Sequence, residues 1–133
     1  MVLRRIGMVR SRLTSRETAP LQGNEGAPDA WVEVDPAFAD ALTGVAAGDD
    51  VILLTWLHLS RRDVHQVHPR GDPATPITGV FATRSPDRPN PIGLHRVRVL
   101  AVEPLRLWVR PLEAVEGTPV IDIKPVLPGS ADA

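Results

Sequence analysis

The stretch Leu94-His95-Arg96-Val97-Arg98-Val99-Leu100-Ala101-Val102, then Glu103-Pro104, then Leu105-Arg106-Leu107-Trp108-Val109-Arg110, decides how the chain folds. Both halves alternate, and a period of two marks a strand that buries one face. In the second half Leu105, Leu107 and Val109 share one face, while Arg106, Trp108 and Arg110 share the other. Glu103-Pro104 is the expected turn between the two strands.

Working outward, Val51-Ile52-Leu53-Leu54-Thr55-Trp56-Leu57 is apolar on both alternating faces and predicts a central, buried strand. Arg5 to Arg10 and Trp31 to Val34 predict two more, with Gly7 marking a bulge or a close backbone approach. Gly79-Val80-Phe81-Ala82 reads as a brief strand, and Val120 to Lys124 as the last one, with Ile121 and Ile123 inward. Asp35-Pro36 predicts a helix start, with Asp at the N-cap and Pro in the first turn. Phe38, Ala41, Leu42 and Val45 then recur at helical spacing, and Gly44 and Gly48 end the segment. Ser11 to Asp29 and Ser60 to Thr78 read as long loops, which are usually functional or mobile. The expected fold is mainly β: a single small β-barrel of six to seven short strands, with one short helix and long loops. One domain is expected over residues 1–133, with residues 127–133 as a flexible tail.

Composition narrows the function classes. The chain has 133 residues, 14 of them proline, and no cysteine. It therefore has no disulfide framework, no thiolate zinc site and no cysteine nucleophile. The longest apolar stretch, Val51 to Leu59, is interrupted by Thr55 and His58, whereas a membrane-spanning helix needs about 20 apolar residues. Met1 to Met8 is too weakly apolar for a signal peptide, so the expected compartment is the cytoplasm, with no membrane partner. The net charge of −1 hides an asymmetry: residues 61–110 hold nine arginines against four acids. That excess suits a local anionic partner, or it reflects GC-rich codon usage.

No G-x-G-x-x-G, phosphate loop or G-x-S-x-G elbow is present. Asp63, His65 and His68 lie close together and His58 lies nearby, but no spacing fixes a third ligand, so no metal is expected. The informative segment runs from Thr83 to Gly93. Pro86, Pro89 and Pro91 fix φ and remove backbone donors, so the loop is stiff without ladder hydrogen bonds. Ser85-Pro86-Asp87-Arg88 suits a β-turn with Pro at its second position. Arg84, Arg88 and Asn90 thus sit on a rigid frame, suited to a carboxylate, a phosphate or a base edge, or else merely solvated. Asp122 and Lys124 share one face of the last strand, which an ion pair would explain.

Gly79 to Leu94, reading GVFATRSPDRPNPIGL, resembles the signature of the TsaA-like family, whose members are also called TrmO and YaeB. Gly117 to Pro125 (GTPVIDIKP) is similar to that family's second signature, and Ile6 to Ser11 to its opening strand. The resemblance implies a small β-barrel that binds S-adenosylmethionine and dimerises, with the cofactor near the subunit interface. It implies methylation of N6 of threonylcarbamoyl-adenosine at position 37 of tRNA, by a methyltransferase without a dinucleotide-type domain. The cofactor contacts it implies are Pro20, Leu21, Gln22, His58, Leu59, Arg84, Leu94, Arg110, Pro111, Leu112 and Glu113. In that reading Leu94 and Leu112 flank the adenine, Glu113 accepts from its ribose or amino groups, and Arg84 pairs with a carboxylate. Arg88, Asn90 and Lys124 are the implied substrate contacts.

The catalytic base is left between His58, Asp122 and the substrate's own carboxylate. Leu21, His95 and Val126 depart from the family's usual residues. The chain is expected to be a short, single-domain form. Methylation of a small metabolite and a non-catalytic, cofactor-binding dimer are the alternative functions.

Overall fold

The structure is a computed structural model that describes residues 1–17, 19–20 and 26–129. Leu21 and Gln22, and the residues 130–133 of the expected tail, lie outside the described residues. Among the described residues the strands are β1 (Gly7–Arg10), β2 (Ala30–Val34), β3 (Asp50–Trp56), β4 (Gln66–Val67), β5 (Thr78–Gly79), β6 (Ile92–Glu103), β7 (Arg106–Arg110) and β8 (Pro119–Pro125). Six of them close into an antiparallel barrel in the order β1-β2-β7-β6-β3-β8, and β4 pairs with β5 as a separate hairpin.

The period of two sets the inside of the barrel. Val9, Val32, Leu53, Val97, Val99, Leu107, Val109 and Val120 all point inward and are buried. Each such side chain contributes roughly 1.5–3 kcal/mol by leaving water. On β3 the core takes only Val51, Leu53 and Thr55; Ile52, Leu54 and Trp56 are half-buried on the outer face. The strand is apolar on both faces, yet only one face meets the core, because the barrel wall is a single layer. Ile121 also departs from expectation. A bulge between Leu54 and Thr55 skips it, so Val120 and Ile123 face the core instead.

Gly7 is a close approach: a side chain there would collide with the Glu33 carbonyl. The β6–β7 turn falls on Pro104-Leu105, since Glu103 pairs directly with Arg106. The expected helix is a 3-10 segment, Pro36–Leu42, broken at Phe38. Its apolar face is nevertheless used, because Phe38, Leu42 and Val45 pack against the core and cover one pole of the barrel. The brief strand expected at 79–82 is split: β5 ends at Gly79, and Val80–Ala82 is a 3-10 turn.

Candidate functional site

Strand direction gathers the long connections at one pole. The ends of β1, β3 and β7 and the starts of β2, β6 and β8 lie together there. The described residues of segments 11–29, 57–91 and 111–118 therefore emerge at that pole, opposite the one covered by Phe38 and Leu42.

Charged groups tie these segments to one another. Asp87 accepts from Arg16 Nη2 at 3.0 Å and from the Arg61 amide at 2.8 Å, joining three loops. Partial burial alone would raise the Asp87 carboxyl, but those two hydrogen bonds and the nearby charges of Arg16 and Arg61 hold it below its ordinary value. Arg16 also donates to the Leu59 carbonyl at 3.1 Å. Arg62 lies over the Trp56 ring at 5.0 Å, and donates to Pro89 O at 2.8 Å and to Asn90 Oδ1 at 3.0 Å. Asp29 receives a two-pronged bond from Arg110, at 2.6 and 2.7 Å, which lowers the Asp29 pKa.

The proline-rich loop is braced from within by Arg88. Its guanidinium donates to the carbonyls of Val80 (2.7 Å), Ser85 (3.0 Å) and Thr83 (3.2 Å). The backbone of the expected β-turn is not closed in the usual way, since the Arg88 amide donates to Arg61 O at 3.0 Å. Phe81, beside this brace, is almost fully exposed. A cleft of about 320 Å³ is lined by His65, Gly79, Val80, Phe81 and Pro89, and another of about 790 Å³ opens beside Arg61, Asp63, His65 and Asp87. Neither includes the segment Arg110 to Glu113.

At that segment the barrel interior reaches the surface. Thr55 Oγ1 lies 2.7 Å from His95 Nε2, and His95 Nδ1 lies 2.5 Å from Glu113 Oε1. Thr55 is fully buried and His95 is 4% exposed, while 15% of the Glu113 side chain is accessible. In the sequence His95 stands out only as a departure from the family's usual residue. The signal was present, however: Thr55 falls in register with inward Val51 and Leu53, and His95 with inward Val97 and Val99. Two polar side chains at inward positions of paired strands have to satisfy each other.

The remaining expected site residues divide clearly. His58 and Leu59 are exposed just beyond β3, Arg84 is exposed on the proline-rich loop, and Leu94 is exposed on the outer face of β6. Arg84 and His58 have no bonded partner among the described residues. Pro20 and Pro111 are half-buried. Leu112 is fully buried in the core, so only its backbone is left to meet a ligand. Asp122 and Lys124 lie on the outer face of β8, opposite Leu54 and Ile52, and pair at 3.2 Å. Of the histidines weighed as metal ligands, His68 is taken up by the Thr75 carbonyl at 2.8 Å. Among the described residues no three His, Asp or Glu side chains form a metal-binding group, and no helix is long and apolar enough to cross a membrane.

Fold and site together define a closed antiparallel barrel with its long loops gathered at one pole. Residues 8–133 match the tRNA-methyltransferase O N-terminal domain, and the chain belongs to that family. It is similar to the S-adenosyl-L-methionine-binding protein of Archaeoglobus fulgidus, 42% identical over 128 residues, covering 96% of this chain and 91% of that protein. It is also 42% identical over 123 residues to a Methanothermobacter thermautotrophicus protein named "Probable S-adenosyl-L-methionine-binding protein", covering 92% of this chain and 88% of that one. The crystal structure of TrmO from Pseudomonas aeruginosa superposes over the whole chain with a TM-score of 0.77 and 32% identity. The chain spans 60% of that TrmO chain.

Proposed function

We propose that this protein is an S-adenosylmethionine-dependent methyltransferase that methylates N6 of threonylcarbamoyl-adenosine at position 37 of tRNA. The observation that carries the reading is the convergence, at one pole, of groups that suit such a cofactor in a chain of this family. Arg84 offers a guanidinium with no bonded partner among the described residues, suited to a carboxylate. Glu113 offers a carboxylate oxygen for a hydroxyl or amine donor, and Leu94 offers an apolar face. The segments 20–22 and 110–113 complete the proposed cofactor set. Relatives named for binding this cofactor support the choice.

When bound, the cofactor supplies a methyl group on a sulfonium, a good leaving group. The protein's own task is then alignment and proton management. His58, exposed and without a bonded partner among the described residues, is the better placed of the two candidate bases for the N6 proton. Asp122 is already engaged by Lys124 and by the amide of Ile123 at 2.9 Å. Asn90 keeps its amide nitrogen for the substrate, while its oxygen is held by Arg62. Arg88 contributes by fixing the loop that carries Arg84 and Asn90. The arginine excess in residues 61–110 provides the field for a polyanion.

A second copy of the chain is the proposed neighbour of the outer face formed by Leu54, Trp56, Ile92 and Leu94. Leu54 pairs with Leu94 and Trp56 with Ile92 across β3 and β6, so the four make one contiguous apolar patch. The cofactor site would lie near that interface.

The test is transfer of labelled methyl from the cofactor to tRNA from cells lacking this modification enzyme. Label at the N6 nitrogen, with binding that weakens steeply as salt rises, is the expected result. Transfer to a small metabolite with a flat salt response would replace the substrate. Tight cofactor binding with no transfer would leave a binding protein.

A further inference from the structure

Thr55 and His95 answer each other inside the barrel, and His95 carries the connection outward. An ionised carboxylate can only accept, so His95 Nδ1 bears the proton and donates to Glu113 Oε1. In a neutral imidazole Nε2 then accepts from the Thr55 hydroxyl. A neutral imidazole in this one tautomer satisfies all three groups. No described side chain leaves a buried polar atom without a partner.

The order hydroxyl, imidazole, carboxylate is that of a hydrolytic triad, but it does not serve as one here. Thr55 is fully buried, and Gly93 backs so closely onto it that a side chain there would meet both Thr55 Oγ1 and His95 Nε2. No substrate reaches that hydroxyl. The member of the chain that meets solvent is the carboxylate, whose Oε2 has no partner among the described residues.

We propose that His95 is a positioning residue for ligand recognition: anchored by Thr55, it fixes the Glu113 carboxylate so that Oε2 stands ready for one donor of a bound nucleoside. The inference rests on the cofactor reading above and adds the device that makes it selective. A glutamate free to rotate would lose conformational freedom on binding; one already held by a buried imidazole does not. The absence of a side chain at Gly93 leaves room for the ring.

The experiment is calorimetry with S-adenosylhomocysteine, its 2′,3′-dideoxy analogue and its analogue with inosine in place of adenosine. The wild type is expected to disfavour one analogue by about tenfold or more, identifying the donor that Glu113 accepts from. Glu113→Gln should lose that discrimination. The pair Thr55→Val with His95→Leu removes the connection without stranding a buried hydroxyl, and should lose it to the same extent. Combining all three changes should cost no more than Glu113→Gln alone. His95→Asn, which keeps a donor near the Nδ1 position, should restore most of the discrimination.

Retained discrimination in the Thr55→Val/His95→Leu protein, or losses that add to those of Glu113→Gln, would overturn the inference while leaving the cofactor reading intact. Cofactor binding indifferent to Glu113→Gln would overturn it in the same way. No binding of S-adenosylhomocysteine by the wild type would overturn both. Nitrogen-15 spectra of the ligand-free protein give a readout independent of binding. The Nδ1-protonated neutral tautomer of His95 is expected, shifted by Glu113→Gln, and the Nε2-protonated tautomer would sink the proposal.

Discussion

Arg88 donates to the Val80 carbonyl at 2.7 Å, closing the proline-rich loop on itself across eight residues. Two further bonds, to Ser85 and Thr83, use the same guanidinium. An arginine so placed shapes a loop, because its planar fork reaches several carbonyls at once and a lysine's single ammonium does not. Arg88→Lys is therefore expected to weaken tRNA binding about as much as Arg88→Ala, by roughly 10-fold or more. Titration of labelled tRNA against the three proteins checks this. Substantial rescue by lysine would mean that charge toward the substrate, and not the brace, is what matters.

Gly7 is the least replaceable glycine of the barrel. A methyl group there meets the Glu33 carbonyl, and backbone facing backbone across a closed sheet has nowhere to move. Gly7→Ala should destabilise the fold by about 4 kcal/mol or more, at the extreme of single substitutions. Denaturant unfolding monitored by the tryptophans reads this directly, and a loss below about 1 kcal/mol would show that the β1–β2 pairing yields easily.

Asp87 makes stability depend on acid in a definite direction. Its carboxyl titrates below its ordinary value of 3.8 in the folded chain, so protonation favours unfolding. The contribution is present in full above the unfolded-state value and is lost as pH falls through the folded one. Asp87→Asn should cost about 1–3 kcal/mol at neutral pH, with the two proteins converging once pH has fallen through the folded-state value. Unfolding curves from pH 7 downward test the sign as well as the size.

The outer patch gives a prediction about assembly. Leu94 stands opposite Leu54, exposed on the barrel wall and outside the core, so Leu94→Glu should leave the fold intact. A dimer that used this face would be driven to monomer by a buried, unpaired charge. Light scattering on the eluted protein, with circular dichroism as the control for folding, decides it. A dimer unaffected by the substitution would place the contact elsewhere.

Most of the barrel was legible because strands state their period. Val97 and Val99, or Leu107 and Val109, alternate with charged or aromatic neighbours, and the structure buries them as expected. The 3-10 segment was half legible. Phe38, Leu42 and Val45 announced an apolar face, but seven residues carry too few hydrogen bonds to fix helix type against packing. The stiff loop could be seen in its prolines. Its inner brace could not, since nothing in the spacing of residues 80, 83, 85 and 88 says that one guanidinium will reach three carbonyls. Leu112 entered only through the family resemblance, and nothing in the spacing around it states that its side chain is buried in the core. Alternation marks Thr55 and His95 as inward polar positions, but that they meet, and that Glu113 joins them from a third segment, follows only from the folded arrangement.

Closure of the ring has a bearing on how the molecule is made. β8 pairs with β3 along most of its length and with β1 through Gly7↔Val120 and Met8↔Pro119. Its residues, 119–125, are the last of the barrel to be synthesised. Until they arrive, β1 and β3 each present an open strand edge, and β3 carries apolar side chains on both faces. Joining the first strand to the last closes the longest loop available in the barrel, a slow step in folding. The nascent chain thus carries its stickiest edge unprotected from the emergence of β3 until residues 119–125 follow, and the last strand of the barrel acts as both lock and shield.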